Sequence, residues 1–152
     1  MTRIITRAII QAPPQRVFDY VITPAWWPRW HPSSLAVSAG AEHPLALGEE
    51  VTEDFRVSGR RGQVVWRVTE REAPRRWVIA GTLAGSGNGG TVTYDLAPAG
   101  AGTAFTRTFA YAMPTPLLRA LDLLVIRWRV RAESASAVRR LRAALEGQVG
   151  GA

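Results

Sequence analysis

The stretch TPLLRALDLLVIRWRVRAESASAVRRLRAALEG, residues 115–147, decides the fold of this chain. Thr115 followed by Pro116 is a helix start: the hydroxyl caps a free N–H, and proline at the first helical position loses nothing by lacking one. No Gly or Pro interrupts the positions that follow until Gly147. At ~1.5 Å per residue such a helix runs roughly 45 Å, whereas the average helix has about 11–12 residues. Leu117, Leu121, Leu124, Val125, Trp128, Ala132 and Ala135 are expected to form its apolar stripe, with Arg119, Arg127, Arg129 and Arg140 largely outside it. A helix this long with one apolar face needs a large concave partner.

The rest of the chain offers one candidate for that partner. Residues 3–11 are Ile-rich and end at Ala12-Pro13-Pro14, which predicts a first strand followed by a helix opened by proline. Val17, Phe18, Val21 and Ile22 share one face of that helix, and Thr23-Pro24 stops it. Three Trp within residues 26–30 predict a short second helix capping the core. From about residue 34 to 113 strands alternate with turns: Leu35–Ser38, Glu50–Ser58, Gln63–Arg71, Arg75–Ala84, Gly90–Leu96 and Thr103–Met113. Gly59-Arg60-Arg61-Gly62 is expected as a hairpin loop, and the 85–90 glycine stretch as a turn between strands. Connections this short predict that strands adjacent in sequence pair antiparallel. A six-strand meander wrapped around the long helix is the expected outcome.

Composition narrows the function classes. The chain has 152 residues and six Trp, enough for one well-cored domain. It has no Cys, which removes disulfides, thiol chemistry and cysteine-based metal sites. The first residues alternate polar and apolar, unlike the core of a signal peptide. No apolar run approaches the roughly 18 residues of a membrane span, so no stable membrane insertion is expected. A cytoplasmic location is the resulting expectation. The formal charge is +7, and every one of the nineteen basic residues is Arg. They are dispersed, with no accompanying aromatic–basic motif, so no specific nucleic acid partner is expected.

The order strand, two short helices, antiparallel strands, long helix resembles the helix-grip fold of the START-like (SRPBCC) superfamily. Three stretches carry the likeness: VFDYVITPAWWPRWHP at 17–32, VTEREAPRRW at 68–77, and GTAFTRT at 102–108. Within that superfamily the wording resembles the polyketide cyclase/dehydrase-like branch. The resemblance implies an α+β fold: a curved antiparallel sheet around the C-terminal helix, with a cavity at the wide end of the sheet. Members include lipid carriers, ligand sensors and cyclases, so fold alone does not select a role. A single ligand-binding domain over 1–147 with a flexible tail at 148–152 is expected.

Strand alternation assigns the inner face. It holds Val51, Glu53, Phe55 and Val57; Val64, Trp66 and Val68; Trp77, Ile79 and Leu83; Val92, Tyr94 and Leu96; and Phe105, Arg107, Phe109 and Tyr111. These side chains either fill the core or line a site for a flat or extended apolar ligand. The residues expected to hold a ligand are Trp30, Glu53, Phe55, Trp66, Trp77, Tyr94, Arg107, Phe109, Tyr111, Leu121, Val125 and Trp128. Glu53 and Arg107 are charges on an inward face; either they meet as an ion pair, or a bulge turns one outward.

His31 follows the Trp cluster near the expected cavity mouth, and two isolated His make no metal site. No Gly-x-Ser-x-Gly elbow accompanies Ser33 and Ser34, which removes a hydrolytic triad. The leading expectation is binding of a hydrophobic small molecule (lipid-, polyketide- or aromatic-like), by a monomer or homodimer with no metal or nucleotide cofactor. The alternatives are a polyketide cyclase or dehydratase working in the same cavity, with Tyr94, Tyr111, Glu53 or His31 moving protons, and a protein-interaction module built on the Trp-rich helix. Burial of both Trp26 and Trp27 would favour the cavity readings; exposure of both would favour the module.

Overall fold

The computed structural model describes residues 1–57, 59–85, 87, 89–113 and 115–150, the last three without side-chain detail. Strand β1 (Thr2–Ile10) leads to helix α1 (Pro14–Val21), a 3-10 turn (Pro24–Trp26) and a single-turn helix α2 (Trp27–Trp30). Six strands follow: β2 (Ser34–Val37), β3 (Glu50–Val57), β4 (Arg60–Glu72), β5 (Arg76–Leu83), β6 (Gly90–Ala99) and β7 (Gly102–Tyr111). Helix α3 (Pro116–Leu121), a π-helical turn (Asp122–Ile126) and helix α4 (Arg127–Gly150) complete the chain. The α+β helix-grip architecture expected from residues 115–147 is the one observed. The expected tail at 148–152 ends on Gly151 and Ala152, which lie outside the described residues.

The sheet order is β1-β7-β6-β5-β4-β3-β2, with every neighbouring pair antiparallel. The meander is thus closed at one edge by β1 against β7, from Thr2 opposite Tyr111 to Ile10 opposite Thr103. Strand β4 begins earlier than the sequence suggests. Val57 already faces Arg60, so Arg60, Arg61 and Gly62 belong to the strand and not to a four-residue loop. At Gly62 a Cβ would lie 2.7 Å from the Phe55 ring opposite it, so the ring packs over the glycine. Gly81 plays the same part under Trp66, where a Cβ would also lie 2.7 Å from the ring. Both aromatics are thereby drawn against the sheet floor.

The core joins the inner face of the sheet to α1 and α4. Val17, Phe18, Val21 and Ile22 are all buried, as their spacing predicts, and Trp27 and Trp30 seal the end of the sheet beside them. From α4, Ala137, Val138, Leu141 and Leu145 complete this cluster. Gln11 N–H donates to Glu146 Oε1 at 3.1 Å, tying the end of β1 to the last turns of α4.

The phase of the long helix differs from the expected stripe. Leu117, Leu121, Leu124, Val125, Trp128 and Ala132 are exposed, Trp128 by 62% and Leu121 by 44%. The inward row is Asp122, Ile126, Val130, Ser134 and Val138, each four residues from the last, continuing to Leu141 and Leu145. The cause is polar. Asp122 is buried because Tyr111 and Thr2 donate to its carboxylate at 2.5 and 2.7 Å, and this turns the leucines at 121, 123 and 124 outward. The π turn that starts at Asp122 also winds more residues per turn than an α-helix, so a 3.6-residue stripe drawn through it loses phase. Among the described residues no helix is long and apolar enough to cross a membrane.

Candidate functional site

Between the sheet and the helices lies a cavity of about 580 Å³. Its walls come from alternate residues of five strands. Phe55 and Val57 stand on β3, Val64 and Trp66 on β4, Ile79 and Leu83 on β5, Val92 and Tyr94 on β6, and Phe109 and Tyr111 on β7. Trp27 and Trp30 of α2 and Ile126 and Val130 of the helix close the remaining sides. Arg60, Gly89, Ala112, Met113 and Leu118, at the hairpin ends of the sheet and the start of α3, also line the cavity.

Register gives the cavity its depth. Gly81 opposite Gly90 marks the outer step; Ile79, Val92 and Phe109 align one step in; Trp77, Tyr94 and Arg107 align one step deeper. The outer steps are apolar. The deep step is where the polar groups gather: Arg107 and Tyr94 face each other across β6 and β7, with His31, Glu53 and Ser134 also lining the cavity.

Arg107 is 6% exposed. One terminal nitrogen donates to Ser134 Oγ at 3.1 Å and the other lies 3.1 Å from His31 Nε2, while its Nε–H has no partner in the protein. Its guanidinium also lies 5.7 Å from the centre of the Phe109 ring. His31 Nδ1 faces the Ser33 N–H at 3.2 Å. Both ring nitrogens therefore face donors, and a neutral imidazole accepts at only one of them. Burial, then the charges of Arg107 and Arg140, holds the imidazole well below its ordinary 6.5, so it is neutral.

Glu53 and Arg107 both line the cavity but do not meet: among the described residues no ion pair within 4.0 Å joins them. Glu53 Oε1 instead accepts from Trp66 Nε1 at 3.0 Å. Burial raises its carboxyl above the usual value, opposed by its hydrogen-bonding neighbours and by the Arg107 charge. Burial likewise pushes the Tyr94 phenol up to about 12, against the pull of Arg107.

Eight of the twelve residues expected to hold a ligand line this cavity: Trp30, Glu53, Phe55, Trp66, Tyr94, Arg107, Phe109 and Tyr111. Trp77 lies behind it, stacked on Tyr94 at 5.5 Å and met edge-on by Trp27 at 6.4 Å. Leu121, Val125 and Trp128 are on the outside, because the helix presents its other face. Trp27 is buried with its indole N–H on Val21 O, whereas Trp26 is half-buried against Tyr20 with Arg29 over its ring. The Trp-rich segment is thus mainly a cap on the core. Ser33, Glu133 and Ser134 were not expected at the cavity. Ser33 Oγ donates to Glu133 Oε2 at 2.6 Å, linking the connection between α2 and β2 to α4. The sequence signal for the helix residues is the four-residue row Asp122, Ile126, Val130, Ser134, Val138, which composition alone hides behind the leucines.

Residues 1–146 match the family described as polyketide cyclase / dehydrase and lipid transport. No curated protein sequence matches the chain. Solved structures resemble it along nearly its whole length. A Thermus thermophilus protein superposes with a TM-score of 0.75 at 14% identity, covering 97% of this chain and 99% of its own. A Rhodobacter sphaeroides protein gives 0.71 at 24% identity, covering 97% and 93%. DynU16, a protein of the dynemicin biosynthetic locus, gives 0.66 at 19% identity, covering 95% of this chain and 47% of its own. At these identities the likeness is one of fold.

Proposed function

The chain belongs to the polyketide cyclase/dehydrase and lipid transport family, and we propose that it binds a hydrophobic small molecule inside the sheet-and-helix cavity. One observation carries this reading. Aromatic and branched side chains that would ordinarily interlock leave about 580 Å³ between them, a volume suited to a small organic ligand. Phe55 and Trp66 are held back against Gly62 and Gly81, which keeps the space open. Apolar walls and a polar inner end suit a molecule with a flat or extended body and one oxygen-bearing end.

The test is titration with N-phenyl-1-naphthylamine, a neutral fluorescent probe, read by its own emission and by quenching of Trp. Saturable binding at one site per chain is expected. Val92→Phe, which fills part of the cavity from its wall, is expected to weaken binding ~10-fold or more with the protein still folded. Absence of saturable binding, or indifference to Val92→Phe, overturns the reading.

Cyclase or dehydratase chemistry is the second reading, and Glu53 favours it. A carboxyl that faces the cavity and keeps its proton to higher pH than usual is a candidate general acid. Glu53→Gln separates the two readings: turnover of a poly-β-ketone would be lost with binding retained, whereas a pure binding protein shows no turnover in either form.

A further inference from the structure

Counting donors and acceptors at the inner end of the cavity narrows the ligand. Arg107 carries five N–H bonds and no acceptor. Ser134 Oγ accepts from one terminal nitrogen, His31 Nε2 faces the other and accepts from it only in the tautomer protonated at Nδ1, and the Tyr94 phenol is a further hydrogen-bonding neighbour; none of the three carries a negative charge. The third nitrogen, Nε, has no partner. Trp30, fully buried and lining the same end, also leaves its indole N–H without a partner. Its ring lies 5.8 Å from that of His31 and 6.3 Å from that of Tyr94, so these two unused donors share one neighbourhood; the Trp77 indole N–H is also unpaired but lies behind Tyr94, off the cavity lining.

Acceptors and negative charge are scarce there. Glu53 is committed to the Trp66 indole, and burial favours its neutral form. Glu133 is engaged by the Ser33 hydroxyl. Burial keeps the Tyr94 phenol protonated. The neutral His31 ring offers a single acceptor nitrogen to the Ser33 N–H and Arg107 together, so it satisfies one of them and supplies no spare acceptor. A buried guanidinium with no carboxylate within 4.0 Å among the described residues is costly, and so is each buried N–H without an acceptor. A single ligand group that is both anionic and an acceptor relieves all of these costs.

We infer that the ligand is an organic anion, an apolar aromatic or extended body ending in a carboxylate or a comparably acidic oxygen, whose charge sits on Arg107 with the unused N–H bonds of Arg107 and Trp30 directed to it. This rests on the cavity-binding reading above and specifies the ligand's charge. The apolar outer steps, Ile79, Val92 and Phe109, take the body. Charge-assisted hydrogen bonds in a dry site are the source of the selectivity.

The experiment compares 2-naphthoate with 2-naphthamide, two probes of the same shape that differ in charge, by isothermal titration calorimetry at neutral pH. The wild-type protein is expected to bind naphthoate about 10- to 100-fold more tightly. In Arg107→Met, which replaces a buried cation by an apolar side chain of similar length, the preference for naphthoate over naphthamide is expected to vanish. Arg107→Gln serves the same comparison if the Met variant does not fold, and the wild-type ratio needs no variant. Equal affinities in the wild type, or a preference that survives loss of Arg107, overturn the anion assignment and leave cavity binding standing. Failure of both probes to bind overturns cavity binding itself, and the anion assignment with it.

Discussion

Tyr111, at the end of β7, donates a 2.5 Å hydrogen bond to Asp122, the first residue of the π turn. Thr2 of β1 donates to the other carboxylate oxygen at 2.7 Å, and Arg127 lies 3.4 Å from it. Burial acts to raise the Asp122 carboxyl, but the two hydroxyls and the Arg127 charge outweigh it and leave it below its ordinary 3.8. One buried carboxylate thus fastens the edge strand β1 and its neighbour β7 to the helix.

Asp122→Ala should therefore be expensive. It leaves two buried hydroxyls and a half-buried guanidinium without their acceptor, at a cost of about 3–5 kcal/mol. Tyr111→Phe removes one hydrogen bond to a charged group and should cost about 2 kcal/mol. Urea denaturation measures both, and an Asp122→Ala cost no larger than that of Tyr111→Phe contradicts the network. Because the carboxyl is depressed in the fold, its contribution is present above pH 3.8 and is lost as pH falls through the folded value.

The helix phase has its own test. Leu141 is fully buried and Leu121 is 44% exposed, although both are leucines on one continuous helical segment. Leu141→Ala is expected to cost about 2–5 kcal/mol, and Leu121→Ala to stay within about 0.5 kcal/mol. Thermal melts that rank them the other way would restore the stripe drawn from the leucines.

Glu53 makes a prediction with pH. Its folded value lies above the ordinary 4.5, so its favourable contribution is complete below pH 4.5 and declines as pH rises through the folded value. Glu53→Gln keeps an acceptor for the Trp66 indole and removes that decline. The variant is expected to melt higher than the wild type at pH 7–8, with the gap shrinking below pH 4.5. A gap that is constant with pH contradicts the buried-carboxyl assignment.

Local alternation was enough to place the cavity walls. Val51, Val64, Trp66, Ile79, Val92, Tyr94 and Phe105 face inward in the structure as their period of two requires. Glu53 and Arg107 share the inner face on the same grounds, yet whether they touch depends on rotamers and on Trp66, Ser134 and His31 competing for them. Those partners are up to 76 residues apart in sequence, and no periodicity encodes them. The helix failed for a related reason. Hydrophobicity points Leu117, Leu124 and Trp128 inward, but the phase is set by Asp122, whose burial follows from Thr2 and Tyr111 at distances of 120 and 11 residues.

Tryptophan indole ¹H–¹⁵N spectra recorded during titration with 2-naphthamide test the cavity reading most directly, because the six indoles occupy distinct positions. Trp30 and Trp66 line the cavity, Trp77 lies behind Tyr94, and Trp128 is on the outer surface. Saturable shifts of the Trp30 and Trp66 resonances, with Trp128 unmoved, are the expected result. Shifts confined to Trp128, or no shifts at saturating probe, would contradict a ligand held within the sheet.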